Sequence, residues 1–152
     1  MKYSTVLVPH DGSEMSEKAV TESIKFARMF GSDILLLYVV DERYTPPSIL
    51  LSFIGKRRSL KEAKAELRKV LEEGAKAMLD KAASKIKAEG IKSKIVVRVG
   101  SPAKEIVEAA RESKCDIIIM GSRSLKSGRL GVLGSVARKV AEIAPCPVML
   151  VH

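Results

Sequence analysis

A glycine-rich, basic stretch in the last third of the chain carries the residue types best suited to holding an anion. Residues 121–134 contain four glycines, and residues 117–141 contain five lysines and arginines without a single acid. The stretch leads into a predicted helix that begins at Ser135, and the N–H groups of a helix N-terminus bind anions. Neither the Gly-x-Gly-x-x-Gly dinucleotide pattern nor the P-loop pattern is present. The stretch therefore favours a phosphate site of another type, with a solvated glycine loop as the alternative.

The segment after the first predicted strand offers one carboxylate and one imidazole. Asp11 can accept hydrogen bonds from ribose hydroxyls or from an exocyclic amine, or it can cap the next helix, a task for which Ser13 competes. His10 and His152 are the only histidines, and no Gly-x-Ser-x-Gly elbow occurs. We therefore expect His10 to line a pocket rather than to act in a catalytic triad, and we assign no catalytic residue.

Short apolar runs alternate along the chain with longer amphipathic stretches. Five runs have the character of strands, at residues 5–8, 34–40, 95–99, 116–120 and 148–151. Helical spacing and end signals predict four helices, which begin near residues 13, 59, 101 and 135. This order predicts an α/β fold with an open parallel sheet, right-handed crossovers and helices on both faces. Ligands bind beyond the carboxyl ends of such strands, and we expect strands one and four to be neighbours, which brings Asp11 near the 121–134 loop.

The composition is typical of a single globular domain. The chain has 152 residues, of which 46% are hydrophobic and 30% charged, with a formal net charge of +9. Its apolar runs are too short for a membrane span or a signal peptide, so we expect one cytoplasmic domain over residues 1–152 without a membrane partner. Cys115 and Cys146 are too few for a disulfide framework or a zinc site, and we interpret them as small buried residues.

Two regions add charge or length without an evident chemical role. Residues 41–58 form a long connection between the second strand and the second helix, with an apolar run at 49–54. A lid, a partner surface and a packed excursion are all open interpretations of it. Residues 61–98 carry eleven bases against six acids, interleaved on a predicted helix, which is typical of a solvated face. Because aromatic platforms are missing there, we do not expect nucleic-acid binding.

Motifs along nearly the whole chain, the 41–58 connection excepted, resemble those of the universal stress protein family. The segments that carry the resemblance are Val6–Ser13, Gly100–Pro102, Asp116–Ser122, Gly134–Val136 and Ala144–Val148. The resemblance implies a Rossmann-like, five-stranded parallel sheet in the order 3-2-1-4-5 and a homodimer formed through the last strand. Many members bind ATP or AMP through the motif Gly-x2-Gly-x9-Gly-Ser/Thr, whereas others lack the motif and do not bind nucleotide.

This nucleotide motif is present here with one departure. It reads Gly121-x2-Ser124-x9-Gly134-Ser135, with the spacing of the family and with Ser124 in place of the second glycine. In the nucleotide-binding members that glycine lets the backbone pass close to the phosphates. A serine can obstruct this approach, or its hydroxyl can donate to a phosphate instead.

The resemblance also implies which positions of this chain contact an adenine nucleotide. They are Pro9, Asp11 and Val39 for adenosine, Met120 and Gly121 for ribose, and Ser124, Gly134, Ser135 and Val136 for the phosphates. His10 would line the same pocket, and Arg123, with Lys126 or Arg129, would add a cationic collar. A Mg²⁺ ion would be carried by the nucleotide, because the sequence offers no ligand cluster of its own.

Three functions follow from these observations. The first is a homodimeric stress-response or signalling module that binds ATP or AMP without an assigned chemical step. The second is a nucleotide-independent interaction module that binds another protein through the dimer and the 41–58 segment, as Ser124 and the apolar run suggest. The third is an ATPase that acts as a switch. Its hydrolysis would be slow, because no residue is an evident general base near a γ-phosphate.

Overall fold

The computed structural model describes residues 2–41, 43, 60–123 and 132–152. Most of the 41–58 connection therefore lies outside the described residues. The same holds for Ser124, Lys126 and Arg129, for which the sequence predicts phosphate contacts.

Strands and helices alternate along the described parts of the chain. The strands are β1 (Thr5–Pro9), β2 (Asp33–Val40), β3 (Ser93–Val99), β4 (Ile117–Gly121) and β5 (Val148–Val151). The helices are α1 (Glu14–Phe30), α2 (Leu60–Ala88), α3 (Pro102–Ser113) and α4 (Ser135–Ile143). The strands pair in parallel in the order β3-β2-β1-β4-β5. The predicted α/β class and the strand order implied by the resemblance are confirmed.

Both ends of α1 are fixed by local capping interactions, which explains why capping residues in the sequence indicate helix ends. Ser13 has an extended backbone, and its hydroxyl accepts the N–H of Ser16 at 3.1 Å, which satisfies one of the free donors of the first turn. Gly31 ends the helix in the left-handed region at φ 70°, where a side chain would be strained. The predicted helix start near residue 13 is confirmed.

Apolar side chains cover both faces of the sheet, which explains why the central strands are apolar at successive positions. One face packs against α1 and α2, and its largest buried strand residues are Val6, Val8, Ile34, Leu36 and Ile119. The other face packs against α3 and α4 through Leu7, Leu37, Ile118 and Met120. Within the described ranges, none of the helices is long and apolar enough to cross a membrane.

The direction of chain winding reverses at β1. This strand pairs with β2 on one side and with β4 on the other, with Val6 opposite Ile34 and Ile117. The connections that leave the carboxyl ends of β1 and β4 consequently part in opposite directions and leave a crevice between them. The predicted adjacency of strands one and four is confirmed, and it places the segments that follow these two strands side by side.

Candidate functional site

A cavity of about 420 Å³ lies in this crevice, beyond the carboxyl ends of β1, β2 and β4. Its volume falls within the range of about 300–1,000 Å³ that is usual for small-molecule sites. The predicted site residues that line it are Pro9, His10, Asp11, Val39, Met120, Gly121, Arg123, Gly134, Ser135 and Val136. The structure thus brings together every predicted site residue that it describes, while Ser124 lies outside the described residues.

The turn between β1 and α1 presents the carboxylate of Asp11 at the cavity. Asp11 Oδ1 accepts the N–H of Ser13 at 2.9 Å, which fixes the side chain in a local turn. The helix cap itself is provided by Ser13, so Asp11 is not needed for that task. Gly12 adopts φ +85°, a conformation that favours glycine, and this allows the tight turn. Asp11 is exposed and lines the cavity, where it can accept further hydrogen bonds.

The imidazole of His10 holds this turn in place through a hydrogen bond to its backbone. Its side chain is fully buried, and Nδ1 accepts the N–H of Gly12 at 3.1 Å. Because a backbone N–H only donates, the ring proton belongs on Nε2, which donates to Glu17 Oε1 at 3.1 Å. Both nitrogens are therefore engaged by protein atoms. The His10 ring lines the cavity and also positions the turn that carries Asp11.

Glu17 extends this chain of contacts to α2. Its Oε2 accepts a hydrogen bond from Lys85 Nζ at 2.8 Å. The bond to Lys85 lowers the pKa of Glu17, partial burial opposes this, and the contact with His10 lowers it further. The long helix α2 is thus tied to the turn that carries Asp11.

Gly121 ends β4 directly against α1. A Cβ atom at this position would lie 2.7 Å from Met15 Cβ and 2.9 Å from the Met15 carbonyl carbon. Ordinary side chains do not approach that closely, so only glycine lets β4 reach the cavity along this path. The glycine that the nucleotide motif requires is therefore also required by packing.

Ser122, which the sequence reasoning did not single out as a site residue, anchors the two ends of the glycine-rich loop. It is buried, and its carbonyl accepts the N–H of Gly134 at 2.8 Å. Its own N–H donates to the carbonyl of Val151 in β5, also at 2.8 Å. Its hydroxyl lies 3.0 Å from His152 Nδ1. These bonds hold the start of α4 beside the end of β4, although no motif of the chain indicates this role.

The N-terminus of α4 is the part of the cavity suited to an anion. Gly134 is the N-cap residue and offers no side chain to the free N–H groups of the first turn. Ser135, Val136 and Ala137 line the cavity, and the first turn contains no acidic residue. The unsatisfied donors and the positive end of the helix dipole therefore face the cavity together.

Apolar side chains from helices on both faces of the sheet also line the cavity, and the sequence reasoning missed them. Leu67 and Leu71 come from α2, and Pro102 and Ile106 come from α3 on the opposite face. Tyr38 lies in the same lining, and burial, together with the negative charge of Asp11, raises the pKa of its hydroxyl. The cavity therefore offers an apolar surface in one part and polar donors in another.

A basic and an acidic residue that follow β2 form part of the rim. Arg43 Nε and Nη2 lie 2.9 Å from the two carboxylate oxygens of Asp41, a bidentate ion pair. Both residues line the cavity, as does Arg123 after β4. Arg43 was not predicted, because it belongs to the 41–58 connection, for which the sequence offered several interpretations. Among the described residues, no group of three or more His, Cys, Asp and Glu side chains is arranged to hold a metal ion.

Comparisons with known proteins agree with this architecture. The sequence model of the Universal stress protein family matches residues 2–152. The universal stress protein MJ0577 of Methanocaldococcus jannaschii is 34% identical over 153 residues, which cover 98% of this chain and 94% of that protein. The solved structure of MJ0577 matches with a TM-score of 0.85 and covers 99% of this chain and 96% of its own. A universal stress protein solved in complex with cAMP is 26% identical, with a TM-score of 0.67, and covers 100% of this chain and 98% of its own. A family match over nearly every residue, with the same fold, means that this chain belongs to the universal stress protein family.

Proposed function

We propose that this protein binds an adenine nucleotide, AMP or ATP, as a stress-response or signalling module. The observation that carries the proposal is a single cavity that combines the Asp11 carboxylate, an apolar lining and the uncapped N-terminus of α4. An adenine nucleotide has a matching sequence of parts: a flat base, a ribose with hydroxyl groups and an anionic phosphate. The related structure with cAMP supports a ligand of this class.

The nucleoside occupies the side of the cavity formed by the strand ends. The base lies against Pro9 and Val39, among the apolar side chains that α2 and α3 contribute to the lining. Asp11 accepts a hydrogen bond from a ribose hydroxyl or from the exocyclic amine of adenine. Met120 and Gly121, which line the cavity, lie beside the ribose.

The phosphates lie at the N-terminus of α4. The N–H groups at Ser135 and Val136 donate to phosphate oxygens, and Arg123 adds a positive charge on the same side. Ser124 would add a hydroxyl donor by its place in the motif. Any Mg²⁺ arrives with the nucleotide and is held mainly by its phosphates.

Titration calorimetry with two matched aspartate variants tests the proposal. The protein is first stripped of ligand and then titrated with AMP and with ATP, as the wild type, as Asp11→Asn and as Asp33→Asn. Asp33 lies at the opposite end of β2, and its variant removes the same charge from an exposed residue. An asparagine at position 11 can still accept the N–H of Ser13, so the turn is retained.

We expect saturable binding by the wild type and by Asp33→Asn, and an affinity about 10–150 times weaker for Asp11→Asn. The factor corresponds to the loss of one charge-assisted hydrogen bond, about 1.5–3 kcal/mol. No saturable binding of either nucleotide by the wild type would refute the proposal. Equal losses in both variants would mean that Asp11 acts only through overall charge.

The departure at Ser124 favours a second candidate function, an interaction module that no longer uses nucleotide. The variant Ser124→Gly restores the motif of the nucleotide-binding members and separates the two functions. A large gain in affinity for AMP or ATP would indicate that the natural protein has given up the site. An unchanged affinity would indicate that the serine is compatible with phosphate binding.

We further propose that two copies of the chain pair through β5. This strand forms one edge of the sheet and exposes Met149, which is 37% accessible. An edge strand with free backbone groups and an apolar side chain is a surface that another strand can cover. Light scattering of the purified protein gives the mass in solution, and a monomer at high micromolar concentration would refute the pairing. The cytoplasmic location remains a prediction from the sequence.

A further inference from the structure

The two cysteines of the chain meet at the end of the sheet opposite the cavity. Cys115 precedes β4 and Cys146 precedes β5, and their sulfur atoms lie 3.6 Å apart. Both are free thiols in this structure. We propose that Cys115 and Cys146 are an oxidation site, at which a hydroperoxide converts the two thiols into a reversible disulfide within one chain.

The backbone around the pair is already at bridging distance. Strands β4 and β5 are neighbours, with Ile118 opposite Val148, and the N–H of Ile118 donates to the carbonyl of Pro147 at 3.0 Å. Continued back from Ile118 and Val148, this register places Cys146 opposite Asp116, one residue from Cys115. A strand spacing of about 4.8 Å and a rise of about 3.3 Å per residue give a Cα separation of about 6 Å, within the range of about 4.4–6.8 Å that a disulfide spans. The sulfur atoms must approach by about 1.5 Å to reach a bond length of about 2.05 Å. Side-chain rotation can supply a movement of this size.

The reaction starts at the more accessible thiol. Cys146 is half-buried, whereas Cys115 is buried. The Cys146 thiolate attacks one oxygen of the hydroperoxide and becomes a sulfenic acid, and the other oxygen leaves as water or an alcohol. Cys115 then attacks the sulfenic sulfur, and the hydroxide that leaves takes up the Cys115 proton as water. Two thiols are thus oxidised to one disulfide, while one hydroperoxide is reduced.

The surroundings of the pair set the rate of this reaction. Burial raises the pKa of Cys115 to about 12, and burial together with the charge of Asp116 also raises the pKa of Cys146. Little thiolate is present at neutral pH, so the site reacts slowly with hydroperoxides. It therefore responds to sustained exposure to an oxidant, unlike the low-pKa cysteine of a peroxide-reducing enzyme.

The disulfide would close a ring that contains β4, the glycine-rich loop and α4. Cross-linking restricts the unfolded chain, and a ring of this length is expected to raise the melting temperature by about 5–15 °C. The cross-link also fixes the start of β5 relative to β4. Oxidation would therefore be detected as a more stable protein with both thiols consumed.

The experiment exposes the reduced protein to hydrogen peroxide and follows it by intact mass, non-reducing peptide mapping and calorimetry. We expect the mass of a single chain that has lost two hydrogen atoms, a peptide that joins Cys115 to Cys146, and a raised melting temperature that dithiothreitol reverses. In Cys115→Ser the reaction should stop at a sulfenic acid on Cys146, which dimedone traps. In Cys146→Ser the buried Cys115 should remain a thiol on the same time scale.

Three results would overturn the proposal. They are an unchanged mass of the wild type after prolonged exposure, a disulfide that links two chains in place of one within the chain, and oxidation beyond the sulfenic acid with no linked peptide. Because the chain contains only two cysteines, a linked peptide from a monomer identifies the pair without ambiguity. The wild-type measurements need no variant, so they stand even if a serine variant folds poorly.

Discussion

The replacement Gly121→Ala tests whether packing against α1 fixes the position of the cavity. The new Cβ atom would lie 2.7 Å from Met15 Cβ and 2.9 Å from its carbonyl carbon, and ordinary contacts begin at about 3.4 Å. The end of β4 or the first turn of α1 must therefore move by about 0.7 Å. The obstacle is the Met15 backbone and the first atom of its side chain, which a change of rotamer cannot move.

The expected cost is that of overpacking in a closely packed region, about 1–3 kcal/mol. For a chain of this size, such a loss lowers the melting temperature by about 2–12 °C. The same chemical change at Gly74 provides the matched control. Gly74 is exposed within α2, and a Cβ atom there has no neighbour within 4 Å. Gly74→Ala should stabilise the protein by about 0.5–1 kcal/mol, because alanine favours the helix over glycine.

Urea denaturation of the wild type and the two variants measures both effects under the same conditions. The two alanines should shift the free energy of unfolding in opposite directions. If Gly121→Ala is as stable as the wild type, the contact with Met15 does not constrain the end of β4, and the packing argument is wrong. If Gly74→Ala is destabilising, the assumed helical environment of the control is wrong.

Two further predictions concern charges around the cavity. The hydrogen bond from Lys85 lowers the pKa of Glu17 in the folded protein. The ionised carboxylate therefore stabilises the fold at pH values above 4.5, the ordinary pKa of glutamate. This contribution is lost as the pH falls through the lower pKa of the folded state. Glu17→Gln should therefore have a lower melting temperature than the wild type at pH 7, and the difference should shrink as the pH falls below 4.5. A difference that is the same at pH 7 and at low pH would contradict the assignment. Glu14→Gln, an exposed control in the same turn, should show little difference at either pH. Arg123→Gln should weaken the binding of ATP several-fold and leave the binding of adenosine nearly unchanged, because Arg123 lines the cavity with a positive charge. The loss should become smaller at high salt. Equal losses for ATP and adenosine by calorimetry would place Arg123 away from the phosphates.

Much of the scaffold could be predicted because it rests on local signals. The apolar run in β2 indicated a strand covered on both faces, and Ser13 and Gly31 marked the ends of α1 by capping chemistry. Strand ends such as Asp11 could be assigned to a site because parallel strands share one carboxyl edge. The strand order required the family resemblance, since periodicity alone does not specify which strands are neighbours.

The walls of the cavity could not be predicted, because they depend on how helices lie over the sheet. Leu67 and Leu71 belong to the apolar stripe of α2, and nothing in that stripe distinguishes a residue that meets the core from one that meets a ligand. The contact between Cys115 and Cys146 could not be predicted for a similar reason, because it depends on which elements are neighbours in the fold. Each lies just before a strand, and only the pairing of β4 with β5 brings them together.

The part of the cavity that we propose for the phosphates is built mainly from backbone, and this determines how a substitution in the motif should act. The donors at Ser135 and Val136 are N–H groups, whose direction depends on the helix and on the anchor that Ser122 provides to Gly134. A side-chain change at Ser124, which lies outside the described residues, removes none of these backbone donors. At Gly121 the opposite applies, because an added methyl group collides with the backbone of α1 and displaces the end of β4 itself. We therefore expect the proposed nucleotide site to tolerate a serine at position 124 and to be weakened by Gly121→Ala.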